Sequence, residues 1–485
     1  MAQNEAILEV LRAEKEGQLW TRRLLGFPVW SLERFRRYRH EVLAFSPEAI
    51  SASTQPSGLN RVKKEWRLFR ASLKDLRSGG ISRRTTEGRD IWVLSNSRYR
   101  KPDEHGVSRC TLTEHLRAQL GSRLLFIEFN SAGIPSQNRP DLCFIDALQL
   151  PALVGARLCA PWVALWLRVF RKDFCDAFLP TPARRLADRA IYGRLLLTLS
   201  RRWMQKSCPR AVFVICGYNM HTPIQLAARE LGIPVIELQH GLISENHSGY
   251  VFDGLDDRPL PVPDNLIVFG SYWGKLLERE SPYWRNRWIA GGHPWLKRQA
   301  EAAHPRKRGT GPRLVVLFGQ YEVDTRTRIR TLARDLAERL SKDWQVVIKP
   351  HPLEPDCSRF YHSATEAGAE LAGPDADPYV MLAQADVTAT EYSTIALEAL
   401  AFPCTSVLLT SDKWTDVLRQ GVEEGLLHAA EGVDDLLRVC GKKQDPEGRE
   451  NLASDLFGVG QPAPDFKAFI EACRLATSKE GMTDS

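Results

Sequence analysis

From residue 211 onward, short apolar runs alternate with longer amphipathic ones. AVFVICG (211–217), VIELQHG (235–241), NLIVFG (265–270) and WIAGGHP (288–294) have strand length and composition. HTPIQLAARELG (221–232) has its apolar residues at helical spacing and stops at Gly232, a residue suited to the left-handed position after a helix. The rhythm repeats from RLVVLFG (313–319). A helix is expected over 324–341, a strand over 344–349, a helix near 358–368, a strand over 385–390, a helix over 393–401 and a strand over 404–410. Strand and helix in alternation predict βαβ units and parallel sheets, so the class is α/β. The polar, Gly- and Pro-bearing AEAAHPRKRGTGPR (300–313) separates the two series as a linker.

The first 210 residues read differently. Strand signals are confined to Ile91–Leu94 and Leu124–Phe129. Residues 1–80 lack them and read as helices, with WSLERFRRYRHEVLAF (30–45) amphipathic and Arg-rich. LPALVGARLCAPWVALWLRVFRK (150–172) is apolar, Trp-bearing and broken by arginines. A buried helix pair is expected there. The chain shows no run of 18 purely apolar residues, so no membrane span is expected. The resulting map is a helical region at 1–85, a first α/β domain at 86–300 with a helical insertion at 140–205, a second α/β domain at 312–460, and a helix and tail at 461–485.

Composition changes this picture little. A chain of 485 residues exceeds what one core serves, which fits two or three domains. A net charge of +7 suits an anionic substrate or an anionic membrane surface and falls short of a dedicated nucleic-acid binder. The ten cysteines form no CxxC pair, which predicts reduced thiols in a cytoplasmic protein and no zinc site. The N-terminal MAQNEAILEVLRAEKEG is acidic and lacks the apolar core of a signal peptide.

Candidate chemistry collects at strand ends. In parallel sheets ligands bind beyond the carboxyl ends of the strands. Lys349-Pro350-His351 ends one predicted strand, and Glu391-Tyr392-Ser393-Thr394 ends the next. Ser393 or Thr394 can cap the helix that follows, whose free N–H groups and partial positive charge suit a phosphate. Lys349 and His351 would add positive charge, so the four residues describe a cradle for the phosphates of a nucleotide donor. In the first series, Gln239-His240-Gly241 closes a buried-type strand. His240 is placed there as a general base, since imidazole accepts a proton near neutral pH. His221 and His247 are the alternative bases. No GxGxxG follows a strand, and GxxxxGK[ST], GxSxG and HExxH are absent, so no nicotinamide domain, P-loop, nucleophile elbow or metal motif is expected. Asp253, Asp256 and Asp257 read as a turn.

Three segments carry a resemblance. VIELQHG (235–241), IKPHP (348–352) and TEYSTIALEAL (390–400) are similar to bacterial surface-polymer enzymes: the CDP-glycerol glycerophosphotransferases, capsule-polysaccharide transferases and His-Pro-motif sialyltransferases. Two βα domains around a cleft resemble their GT-B fold of two Rossmann-like domains. The likeness covers about residues 210–430. It implies that His351, Ser393 and Thr394 bind donor phosphates and that His240 matches the base. It also implies that Glu398, with Gly319, meets the donor's ribose or base. The glycerophosphotransferases usually carry Asp where this chain has Glu391.

The implied activity moves a sugar or polyol-phosphate from a nucleotide donor to a growing surface or capsular glycan. No cofactor or metal is expected. A CMP- or CDP-linked donor is favoured and a UDP-linked one comes second. The acceptor is a glycan or lipid-linked molecule, with peripheral contact at the inner membrane as a secondary expectation. The rivals are a UDP-sugar epimerase of the same architecture and a non-catalytic glycan-assembly binding protein.

Overall fold

The computed structural model describes the chain apart from residues 1–11, 13, 15–17, 45–86, 97–99, 103–107, 130–140, 180, 219–220, 246, 253–261, 304–310, 352–353, 374–375, 415, 441–445 and 484–485. Most of the N-terminal helical region and the Asp253–Asp257 turn therefore lie outside the described residues.

Two parallel sheets dominate. The strands are β1 (Arg23–Leu24), β2 (Phe27–Pro28), β3 (Ile91–Asn96), β4 (Arg100–Pro102), β5 (Ser108–Cys110), β6 (Leu124–Phe129), β7 (Leu142–Phe144), β8 (Ala211–Ile215), β9 (Val235–Leu238), β10 (Asn265–Val268), β11 (Trp288–Ala290), β12 (Arg313–Phe318), β13 (Trp344–Lys349), β14 (Glu370–Leu371), β15 (Val387–Thr390), β16 (Thr405–Leu409) and β17 (His428–Ala430). The first sheet has seven strands in the order β11-β10-β9-β8-β3-β6-β7. The second has six, in the order β14-β13-β12-β15-β16-β17. Every pair in both sheets is parallel. The α/β class with two Rossmann-like units holds.

The sequence dictates this directly. Strands covered on both faces need continuous apolar runs. β8 is AVFVI and wholly buried, and β12 is RLVVLF with all but its first residue buried. Each sheet also reverses direction once. In the first, the chain adds β6 and β7 on one side of β3, then returns to add β8, β9, β10 and β11 on the other. In the second, β13 and β14 lie on one side of β12, and β15, β16 and β17 on the other. The switch points are therefore β3/β8 and β12/β15, the places where such sheets leave a crevice for ligands.

Four expectations need correction. Residues 23–28 form a small antiparallel hairpin, β1–β2, inside the region expected to be helical. Its turn is made possible by Leu25 and Gly26, both with positive φ (52° and 75°). The helix Pro294–Ala302 takes the start of the expected linker. The helix expected over 393–401 is a single α-turn, Ile395–Glu398, tightened into a 3₁₀ turn at Ala399–Ala401. Finally, the helix Asp146–Phe170 packs on the helix Ala183–Ser207, yet its outer face is exposed. Its segment Leu148–Phe170 is long and apolar enough to cross a membrane by length and composition, with 28% of it buried. Screening for unbroken apolar residues missed it, because two arginines interrupt an otherwise apolar helix.

The chain ends by returning to the first unit. Trp273 Nε1 donates to Leu456 O at 2.6 Å, and His293 N donates to Phe457 O at 2.8 Å, from the helix Pro446–Phe457. The last helix, Phe466–Thr483, is tied to Gln119, which accepts from Phe466 N at 2.9 Å.

Candidate active site

In the first sheet, the loops beyond β8 and β9 converge on one buried carboxylate. Glu237 is the polar residue of the apolar β9, and it is 1% exposed. Its Oε1 accepts from Gly217 N at 2.9 Å and from the Tyr250 hydroxyl at 2.8 Å. Only glycine fits at 217, since a Cβ there would overlap Glu237 Oε2. Burial raises the Glu237 carboxyl to about 7.

His240 stands two residues past the end of β9, as expected, and both ring nitrogens are engaged. Nε2 meets the Tyr218 hydroxyl at 3.1 Å and Nδ1 meets the Tyr250 hydroxyl at 3.2 Å. With Glu237 ionised, the single hydroxyl hydrogen of Tyr250 goes to Glu237. The Tyr250 oxygen then accepts from His240 Nδ1–H, which leaves Nε2 as the acceptor facing Tyr218. Glu237, Tyr250, His240 and Tyr218 thus form one hydrogen-bonded chain, able to reverse when Glu237 takes a proton. The His240 side chain is 10% exposed.

The alternative bases are poorer. His247 Nδ1 accepts from Gly249 N at 3.0 Å, and burial holds the ring at about 4. His221 Nδ1 faces Cys216 O at 3.2 Å, and burial holds it too at about 4. Both stay neutral and locked at physiological pH.

The helix Trp30–Ala44 braces this loop cluster. Arg34, 3% exposed, is paired with Glu14 at 3.0 Å and donates to Ser248 O and to Val251 O. Phe35 rests on the Tyr218 ring with centroids 4.7 Å apart.

The second sheet is built on the same plan. Glu354 is the hub: Oε1 accepts from His351 N at 2.6 Å, while Oε2 accepts from Arg326 Nε at 3.0 Å and the Tyr361 hydroxyl at 2.8 Å. Gly319, just past β12, approaches so closely that a Cβ would overlap Glu354 Oε1. The backbone N–H of His351 is thereby held, and the His351 ring lies against Tyr321 at 5.7 Å.

The expected donor residues meet mixed fates. His351, Gly319, Ser393 and Thr394 do gather at the carboxyl ends of β13, β12 and β15, three adjacent strands. Ser393 Oγ accepts from Ile395 N at 3.3 Å, so the serine is the cap of that short turn. Thr394 instead donates to Glu398 Oε1 at 2.9 Å, and the Tyr379 hydroxyl donates to Glu398 Oε2 at 2.8 Å. Both oxygens of Glu398 are therefore held within the protein. Gly319 packs closely against Glu354. Lys349 is 4% exposed and its Nζ turns back onto Pro350 O at 2.9 Å, placing its charge behind the turn.

Sequence reasoning missed Glu237, Tyr218, Tyr250 and Glu354. An acidic residue inside VIEL was a legible signal for Glu237. The tyrosines and Glu354 lie in loops and acquire partners only through the fold.

The chain matches no known family and no curated protein. Among solved structures it is similar to a UDP-GlcNAc 2-epimerase from Methanocaldococcus jannaschii, at 14% identity and TM-score 0.45, covering 73% of this chain and 94% of that one. It is also similar to the glycosyltransferase of kitacinnamycin, at 13% identity and TM-score 0.44, covering 80% and 97%. A third is an α,α-trehalose 6-phosphate synthase from Burkholderia multivorans, at 13% identity and TM-score 0.42, covering 82% and 98%. These values describe a loose likeness of chain path.

Proposed function

We propose that the protein is a transferase that moves a sugar or polyol-phosphate from a nucleotide donor to a growing bacterial surface or capsular glycan. The observation that carries this reading is the pairing of two sites at the carboxyl ends of separate parallel sheets. One is a histidine wired to a buried carboxylate; the other sets His351, its backbone held by Glu354, two strands away from a capped Ser-Thr turn. The donor's phosphates meet the His351 ring, the Ser393 hydroxyl and the N–H groups at the start of the Ser-Thr turn, with Lys349 supplying charge from behind. A cytidine donor leads and a uridine donor follows; the acceptor is a glycan or lipid-linked molecule, and the reaction runs in the cytoplasm without a cofactor.

His240 Nε2 is the proton acceptor. The acceptor hydroxyl takes the place of the Tyr218 hydroxyl at Nε2, or hands its proton on through it. The Nδ1–H bond to Tyr250 and the Glu237 carboxylate behind it stabilise the imidazolium as it forms.

The test measures nucleotide release from CMP-, CDP- and UDP-linked donors with and without glycan acceptors. Release that requires an acceptor, and that falls by ~10²–10⁴ in His240→Ala while nucleotide binding persists, supports the reading. Conversion of a UDP-linked sugar into its epimer, without any acceptor, points to the epimerase instead. Nucleotide-independent glycan binding without turnover points to a binding protein.

A further inference from the structure

The helix Asp146–Phe170 inverts the usual order of sizes. The side turned toward the protein carries small residues: Ala152, Ala156, Ala160 and Ala164 are all at most 4% exposed. The side turned outward carries the large ones. Leu158, Trp162, Leu165, Trp166, Val169 and Phe170 are 44–75% exposed and recur at helical spacing along one face. Of the fifteen exposed large hydrophobic residues among those described, ten fall between 153 and 195, so this is one patch rather than scatter. Leaving two tryptophans and a phenylalanine in water forfeits the largest burial energies available to a side chain.

Charge says what covers the face. The two helices and the short helix Lys172–Ala177 between them, residues 146–207, hold eleven Arg and Lys against four Asp. That surplus of seven equals the formal net charge of the whole chain. Arg157 and Arg168, the basic residues of the apolar helix, are exposed beside the patch. Lys172, Arg184 and Arg194 are also exposed on the adjoining segments. A basic rim around a Trp- and Leu-rich face matches an anionic bilayer interface, where aliphatic stems stay in the acyl boundary and charged heads reach the headgroups.

We propose that this helix lies flat in the interface of an anionic lipid membrane, its outer face inserted and its alanine face on the protein. A spanning orientation does not fit. The inner face is closed by the helix Ala183–Ser207, where Gly155 meets Leu195 so tightly that a Cβ would overlap it. That second helix carries seven Arg and Lys and would have to enter the bilayer too.

The experiment is co-sedimentation of the full chain with vesicles of phosphatidylcholine alone or mixed with phosphatidylglycerol, at low and high salt. The inference predicts pelleting with the phosphatidylglycerol vesicles at low salt, with roughly 10-fold weaker partition on phosphatidylcholine and on raising the salt. Leu158→Glu/Trp162→Glu should lose at least about 10-fold in partition with unchanged circular dichroism. If that variant does not fold, Val169→Ser/Phe170→Ser reads the same face.

A wild-type chain that stays in the supernatant with anionic vesicles at low salt overturns the inference, as does a folded variant that pellets like wild type. Equal partition on both vesicle types overturns the role of charge. A lipid-free dimer that the variant splits into monomers would assign the face to a second copy of the chain.

Discussion

At the residue scale, Glu237 anchors the hydrogen-bonded chain that runs through Tyr250 and His240 to Tyr218. Burial raises this carboxyl from its ordinary 4.5 to about 7, so the folded protein holds a proton there that the unfolded chain has released. Stability from this group is therefore present below about pH 4.5 and is lost as pH rises toward 7, by at most about 1.4 kcal/mol per unit. His221 and His247 act in the opposite sense. Their folded values near 4 lie below the ordinary 6.5, so the stability they give is lost as pH falls through that window. Thermal melts across the range should show Glu237→Gln gaining on the wild type as pH rises from about 4.5 to 7, and then running parallel. A constant offset at every pH would mean that folding leaves the Glu237 carboxyl at its ordinary 4.5. Tyr250→Phe removes the acceptor of His240 Nδ1–H and one donor to Glu237 at once; a loss of ~1–3 kcal/mol by chemical denaturation is expected. The place of His240 at a strand end was legible because a Gln-His-Gly triplet closed an apolar strand. Its two tyrosines were not, since contacts between loops have no sequence period.

At the element scale, the parallel strands were the most legible part, because burial on both faces forces a continuous apolar run. The short turn at Ile395–Glu398 was over-read as a full helix. Its residues favour helix, but Phe402 leaves in an extended conformation and the last turn tightens to 3₁₀. The outward face of Asp146–Phe170 was read as buried for a different reason: hydrophobicity gives affinity for an apolar partner and does not say whether that partner is the protein's own core. The two glycine–glutamate contacts are a shared device of both sheets. Gly319→Ala should displace Glu354 and release the His351 backbone, costing ~1–3 kcal/mol of stability. Glu354→Gln keeps the shape but weakens the bond from Arg326. Nucleotide affinity should fall in both variants, and undiminished affinity in both would mean that His351 needs no such support.

At the scale of the whole molecule, two sheets with matched switch points place two loop clusters at equivalent ends, and the C-terminal helices return to the first unit. The central claim is that the second unit holds the phosphates of a nucleotide. Its most direct test is a thermal-shift panel of CMP, CDP, UDP, GDP and ADP on the wild type, His351→Ala and Ser393→Ala/Thr394→Ala. A ligand confined to the folded state at about 100 times its Kd adds about 2.7 kcal/mol, which a melt resolves. The account predicts one clear stabiliser, a cytidine nucleotide first and a uridine nucleotide second. It also predicts that either variant loses ~1.5–3 kcal/mol of nucleotide binding while remaining folded. No shift with any nucleotide in the folded wild type, or equal shifts in wild type and both variants, would contradict it.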